Sequence, residues 1–224
     1  MRNTIFTYCN FQIHPDIANN QAKVIEKTIA NLGIDFNPLR YNAKDGDMVP
    51  DQVIEYGINE LYNQGYDNIL ILDIDCIPLN IDALLYTFHK ASQGVLIGNA
   101  QRSNHLDNNK HVFIGSSCLC LNKTVYERLG RPSFRPTNRG DIAEELVYIA
   151  DDINLPKEIY EPLSYEASPY GCDYWPLDDV MAPYGVGTTF KRYDGHPMFY
   201  HLFESRLNLN VERFSNKCKA ILEI

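Results

Sequence analysis

Asn68-Ile69-Leu70-Ile71-Leu72-Asp73-Ile74-Asp75 sets the architecture of this chain. Four aliphatic residues in a row, without polar alternation, suit a strand buried on both faces of a sheet. Cys76, Ile77 and Pro78 follow, and proline has no N–H to give a central ladder. The strand is therefore expected to stop at the carboxylates, with Asp73 and Asp75 at its C-terminal edge. Residues two apart on a strand point the same way, and that edge is where open α/β sheets bind ligands. Two carboxylates held together need a proton or a cation between them. Hard oxygen donors select Mg²⁺ or Mn²⁺. Asp-x-Asp also arises by chance in surface loops, but here a strong strand signal precedes it and a helix start at Asn80 follows.

Working outward, Thr4 to Cys9 reads as a first strand. Ile17, Val24, Ile25, Ile29 and Leu32 then fall largely at helical spacing and are closed by Gly33. Ile34 to Tyr41 is a second strand whose Pro38 marks it as an edge or irregular segment. A turn-rich loop from Asn42 to Asp47 leads into a helix from Pro50 to Gly65. Strand, helix, strand, helix, strand predicts right-handed crossovers and a parallel sheet. Beyond the carboxylates come a helix over Ile81–Lys90 capped by Asn80 and a strand over 94–98. A polar excursion to Lys110, a strand over His111–Leu121 and a short helix over Thr124–Leu129 follow. After that, eight prolines between Pro132 and Pro197 imply loops. Three elements stand out among them: a helix over Asp141–Ala150, a strand at Met198–His201 and a last helix from Asn210 to Leu222. The expected fold is one α/β domain over residues 1–224, a Rossmann-like, mostly parallel sheet flanked by helices with a loop-rich second half.

Composition excludes some functions. With 29 acidic against 20 basic residues, the net charge of −9 opposes nonspecific nucleic-acid binding, which needs a basic surface. A bound metal can still invert the local charge toward a phosphorylated small molecule. No stretch is apolar for long enough to form a transmembrane segment, and the N-terminus reads as a strand rather than a secretory signal. Six cysteines (Cys9, Cys76, Cys118, Cys120, Cys172 and Cys218) lack a paired framework. Free thiols in a cytoplasmic protein are the expectation.

The βαβαβ half ending in Leu72-Asp73-Ile74-Asp75 resembles the nucleotide-sugar-dependent glycosyltransferases of the GT-A fold. Gly115-Ser116-Ser117-Cys118-Leu119-Cys120, followed by a helix closed at Leu129-Gly130, resembles their family-2-like members, with Gly140-Asp141-Ile142-Ala143-Glu144-Glu145-Leu146 in the place of their acidic patch. The family's usual Glu-Asp pair is absent in that form. The resemblance implies a GT-A-like domain with a nucleotide-sugar-binding half (1–100) and an acceptor-binding half (101–224). It implies transfer of a sugar, from a UDP-sugar most readily, to a hydroxyl acceptor such as a glycan. Asp73 and Asp75 would hold Mn²⁺ or Mg²⁺ against the donor diphosphate, with Asp73 also contacting substrate. The third ligand in such enzymes is often a histidine near the C-terminus, which points to His201, with His196 as the rival.

An inverting transfer needs a base, and Asp141 or, second, Glu144 is expected to supply it; Asp141 would serve equally as a helix N-cap. Tyr8 and Asn10, where the first strand opens, are candidates to hold base and ribose, as is Asp47 in the following loop. Lys191 and Arg192 are candidates to reach the diphosphate, a solvated basic pair being the plain alternative. Tyr160, Tyr165, Tyr170, Tyr174 and Trp175 suit either stacking on sugar rings or filling a loop-rich core. Two other readings compete. A haloacid-dehalogenase-like phosphatase also carries Asp-x-Asp after an apolar strand, with Asp151-Asp152 as a second acidic motif, although Ile77 stands where such enzymes carry Thr or Val. A non-catalytic sugar- or nucleotide-binding module would keep the fold without turnover.

Overall fold

The computed structural model describes residues 1–10, 13–41, 49–103, 111–166, 174–177, 181–203 and 208–223. The chain runs β1 (Asn3–Asn10), α1 (Pro15–Ile29), β2 (Ile34–Tyr41), α2 (Pro50–Asn63), β3 (Asn68–Asp73), β4 (Cys76–Pro78), α3 (Ile81–Ser92) and β5 (Leu96–Arg102). It continues with β6 (Val112–Asn122), α4 (Lys123–Arg128), α5 (Glu144–Asp152), β7 (Lys157–Glu166), β8 (Gly187–Lys191), β9 (Pro197–Leu202) and α6 (Asn208–Leu222). One sheet has the order β2-β1-β3-β6-β5-β7-β8-β9-β4. It is parallel across β2-β1-β3 and between β5 and β7, and antiparallel at its other pairings. The parallel part is the βαβαβ half expected from the sequence, and Pro38 lies on the edge strand β2.

β3 alternates as a doubly buried strand must. Ile69 and Ile71 enter the core shared with α2, α4 and α5. Leu70 and Leu72 enter the opposite core, with Ile25 of α1 and Ala83, Leu84 and Phe88 of α3. β4 lies only two residues beyond β3, yet it forms the far edge of the sheet. Two residues of chain span at most about 10 Å from strand end to strand start. The sheet must therefore curl until its far edge returns to its centre. A third core fills the inside of that curl, joining Ile17 and Val24 of α1 to Ile77, Tyr200, Leu202 and Phe214.

The second half is richer in strands than its prolines imply. β7 pairs with β5 only over Lys157–Tyr160 and with β8 from Glu161 onward, so Pro162 sits beyond the β5 ladder, next to a bulge. α5 also starts later than expected. Its N-cap is Ala143, in a left-handed conformation at φ 68°, and Asp141 lies in the preceding turn. The five described cysteines are free and buried. Among the described residues, no helix is long and apolar enough to cross a membrane.

Candidate active site

The curl brings three side chains that could hold a metal ion to one point. Asp73 ends β3 and Asp75 sits in the turn to β4. His201 is held by the short β4–β9 ladder, where it pairs with Cys76 and the next N–H, of Leu202, donates to Asp75 O at 3.0 Å. One ligand atom from each of Asp73, Asp75 and His201 lies within 4.8 Å of the others. His201 Nε2 is 3.1 Å from Asp75 Oδ1 and 3.8 Å from Asp73 Oδ2. Neighbouring ligands of an octahedral ion with bonds of 2.0–2.1 Å stand about 3 Å apart, so this donor set fits a small divalent cation. The His201 ring rests on Phe203, with ring centres 3.9 Å apart. Its Nδ1 has no hydrogen-bond partner among the described residues, so the ring is held by this packing and by the Nε2 contact with Asp75.

The surroundings make a charged pair of carboxylates costly. Burial first, and the Asp75 charge second, raise the Asp73 carboxyl above its ordinary range, while His201 and the Tyr8 hydroxyl pull it back. Tyr8 donates to Asp73 Oδ1 at 2.6 Å. Burial, then the neighbouring Asp73, hold the Tyr8 phenol well above its usual value, so it stays a donor. That hydroxyl is already committed to orienting Asp73, and only the rest of the ring is left for a ligand.

A cavity of about 400 Å³ opens above the cluster. Tyr8, Cys9, Asn10 and Tyr41, at the C-terminal ends of β1 and β2, form one wall; Gln101, Ser116, Asp141 and Ile142 form another. The described lining holds three carboxylates (Asp73, Asp75, Asp141) and neither lysine nor arginine.

The expected site residues thus divide. Asp73, Asp75, His201, Tyr8, Asn10 and Asp141 share one cleft. Asp47 lies outside the described residues. Lys191 and Arg192 are elsewhere: Lys191 faces Pro197 across the β8–β9 ladder, four residues from His201, or about 13 Å along a strand. Lys191 pairs with Glu161 at 3.7 Å. Arg192 is bound by Asp194 and lies over the Tyr86 ring. His196, the rival ligand, is in the same turn, with Nε2 4.0 Å from Asp82.

Glu144 is fully buried behind the cleft wall, which takes it out of reach of an acceptor. It accepts from the Ser103 hydroxyl and from the Asp141 N–H at 2.8 Å, and His111 Nδ1 lies 2.8 Å from its other oxygen. Asp141 does not cap α5; its Oδ1 is 2.7 Å from the Ile142 N–H. Of the aromatic residues, Tyr160 is core and Trp175 packs on Tyr184 and Phe203. Tyr165 and Tyr174 form an exposed pair, and Tyr170 lies outside the described residues.

Gln21 is absent from the expected set. It is a fully buried polar residue on α1, reaching the Asp73–Cys76 turn from behind. Ile17, Gln21, Val24 and Ile25 share one helical face, so a polar residue inside an apolar stripe was the available signal.

No protein-family model and no curated protein matches the sequence. Solved structures do match in shape. An active-site variant of LgtC aligns over 97% of this chain and 95% of its own at 12% identity, with a TM-score of 0.51. A glycosyltransferase involved in glycosylating the major capsid of PBCV-1 aligns over 73% and 83% at 11% identity, with a TM-score of 0.50. The fold is of the GT-A type. A further structure of LgtC, named there as a galactosyltransferase with donor and acceptor sugar analogues, aligns over 97% and 95% at 10% identity and a TM-score of 0.48. At such identities the likeness is one of fold, and the chemistry rests on the residues of this cleft.

Proposed function

We propose that this chain is a metal-dependent glycosyltransferase that moves a sugar from a nucleotide-diphosphate sugar, first of all a UDP-sugar, to a hydroxyl acceptor such as a glycan. The observation that carries the reading is the convergence of Asp73, Asp75 and His201 where β3 meets the cleft of a GT-A fold. These three would hold the ion, and the imidazole nitrogen favours Mn²⁺ over the oxygen-preferring Mg²⁺. Bound there, the ion would act as a Lewis acid toward the leaving diphosphate.

The chain's own residues supply the rest. Tyr8 fixes the Asp73 carboxylate through its hydroxyl. Asn10 and Tyr41 line the side that would take the base and ribose, within the donor half (1–100). Asp141, from the acceptor half (101–224), lines the cleft and would receive the acceptor's proton. In that inverting step the acceptor oxygen bonds to the anomeric carbon as the bond from that carbon to the diphosphate oxygen breaks. The proton goes to Asp141 and the electron pair leaves with the diphosphate. The described lining holds three carboxylates, and a cation held by them would offset their repulsion of a diphosphate.

The test is to incubate the protein with a panel of sugar nucleotides and Mn²⁺ and measure release of the nucleoside diphosphate. Slow release from one donor, abolished by EDTA, is expected. Metal-dependent phosphate release from phosphomonoesters would favour a phosphatase instead, and donor binding without turnover would favour a binding module.

A further inference from the structure

We propose that Gln21 is the positioning residue of this metal centre, holding the turn that carries Asp75 in place from the back of the sheet. This rests on the metal-binding reading of Asp73, Asp75 and His201. The Gln21 side-chain amide donates to Asp73 O at 2.5 Å and to Cys76 O at 2.8 Å, the two backbone carbonyls that flank Ile74 and Asp75. Its carbonyl accepts from the Thr7 hydroxyl on β1 at 3.0 Å. All three groups are matched without ambiguity, because the two backbone carbonyls can only accept. Gln21 and Thr7 are both buried, so water does not replace these bonds.

The arrangement solves a specific problem. At the turn the chain leaves β3 in the centre of the sheet and joins β4 at its far edge. Ile74 and Asp75 lie between the two strands: the β1–β3 ladder ends at Asp73, a single bond from the Leu202 N–H to Asp75 O extends the β4–β9 ladder, and the like charges of Asp73 and Asp75 repel each other. Gln21 clamps both ends of that two-residue gap and ties them to β1 through Thr7. The clamp fixes where the Asp75 carboxylate stands relative to Asp73 and His201. A glutamine is required in kind: glutamate would set an oxygen against two carbonyl oxygens, and an apolar residue would leave both carbonyls unpaired.

The experiment compares the wild-type chain with Gln21→Met, Thr7→Val and Ile25→Ala. Ile25→Ala is a destabilising change on the same helix that touches neither carbonyl. Mn²⁺ affinity is measured by electron paramagnetic resonance and hydrogen exchange at the Leu202 amide, which donates to Asp75 O, by mass spectrometry. Gln21→Met is expected to weaken Mn²⁺ binding by about 10-fold or more, the scale for losing a group that orients ligands, and to speed exchange at Leu202. Thr7→Val, which keeps both amide donations, should do the same to a smaller degree. Ile25→Ala should lower the melting temperature with Mn²⁺ affinity unchanged. If Gln21→Met does not fold, Thr7→Val decides by the same two measurements. Wild-type Mn²⁺ affinity and Leu202 exchange in the glutamine or threonine variant would overturn the proposal while leaving the metal site standing. An equal loss of affinity in Ile25→Ala would overturn it too, since general loosening would then suffice. A wild-type chain that binds no Mn²⁺ would overturn the metal reading and this role with it.

Discussion

Replacing Glu144 separates positioning from catalysis at the cleft wall. The fully buried carboxylate takes hydrogen bonds from the Ser103 hydroxyl and the Asp141 N–H and faces His111. Glu144→Leu takes away the carboxylate to which the Ser103 hydroxyl and the Asp141 N–H donate, while His111 keeps its contact with Asp151, 3.6 Å away. Each of these two lost bonds costs about 1–3 kcal/mol, which sums to roughly 2–6 kcal/mol. For a chain of this size, about 2–4 °C of melting temperature goes with each kcal/mol, so a fall of roughly 5–20 °C is expected. Glu144→Gln keeps an oxygen for Ser103 and Asp141 and loses only the charge assistance, about 1 kcal/mol. If Glu144 holds Asp141 in place, Glu144→Leu also lowers transfer by roughly 10²-fold, the scale for misplacing a reacting group by about 1 Å. Mn²⁺ affinity stays the same, because Glu144 touches none of the three proposed ligands. The assay pairs thermal melting by circular dichroism with Mn²⁺-dependent transfer measured below the melting transition. Full transfer by folded Glu144→Leu would refute the positioning argument, and lost Mn²⁺ binding would show that the two sites are not separate.

Two further outcomes follow from the geometry. Burial raises the folded-state pKa of Asp73 above the ordinary carboxyl value of 3.8, so its charge costs metal-free stability, and that cost develops as pH rises from 3.8 through the folded value. Asp73→Asn should therefore melt higher than wild type near neutral pH without metal and match it in strong acid, and Mn²⁺ should raise only the wild type; equal melting at neutral pH would contradict this. Lys191→Ala and Arg192→Ala should leave donor affinity within about 2-fold, surface ion pairs such as theirs being worth little, and a tenfold loss by equilibrium dialysis would return them to the site.

What the sequence makes legible follows from how local each signal is. Asp73 and Asp75 are readable because their strand and their chemistry occupy one continuous stretch. Tyr8 and Asn10 end the neighbouring parallel strand, so the same edge argument finds them. His201 is different: its approach depends on the curl that returns β9 and β4 to the sheet centre, and a family resemblance was needed to point to it. Lys191 and Arg192 look near His201 in sequence, but a β-hairpin runs away from its turn, and their end of it faces Asp82 and Tyr86. β7 and β8 are obscured by Pro162 and by partners far along the chain, because their pairing, not their composition, makes them strands. Asp141 and Glu144 are both found by an acidic patch. Only burial tells that one faces the cleft and the other supports it.

The most direct test is binding of a nucleoside diphosphate, starting with UDP, by wild type and Asp75→Asn, with Mn²⁺ and with EDTA, by isothermal titration calorimetry. Wild type is expected to bind with Mn²⁺ and not with EDTA, and Asp75→Asn to bind in neither condition at wild-type affinity while keeping its fold. Binding that survives EDTA, or an Asp75→Asn variant indistinguishable from wild type with Mn²⁺, would contradict a metal centre built from Asp73, Asp75 and His201.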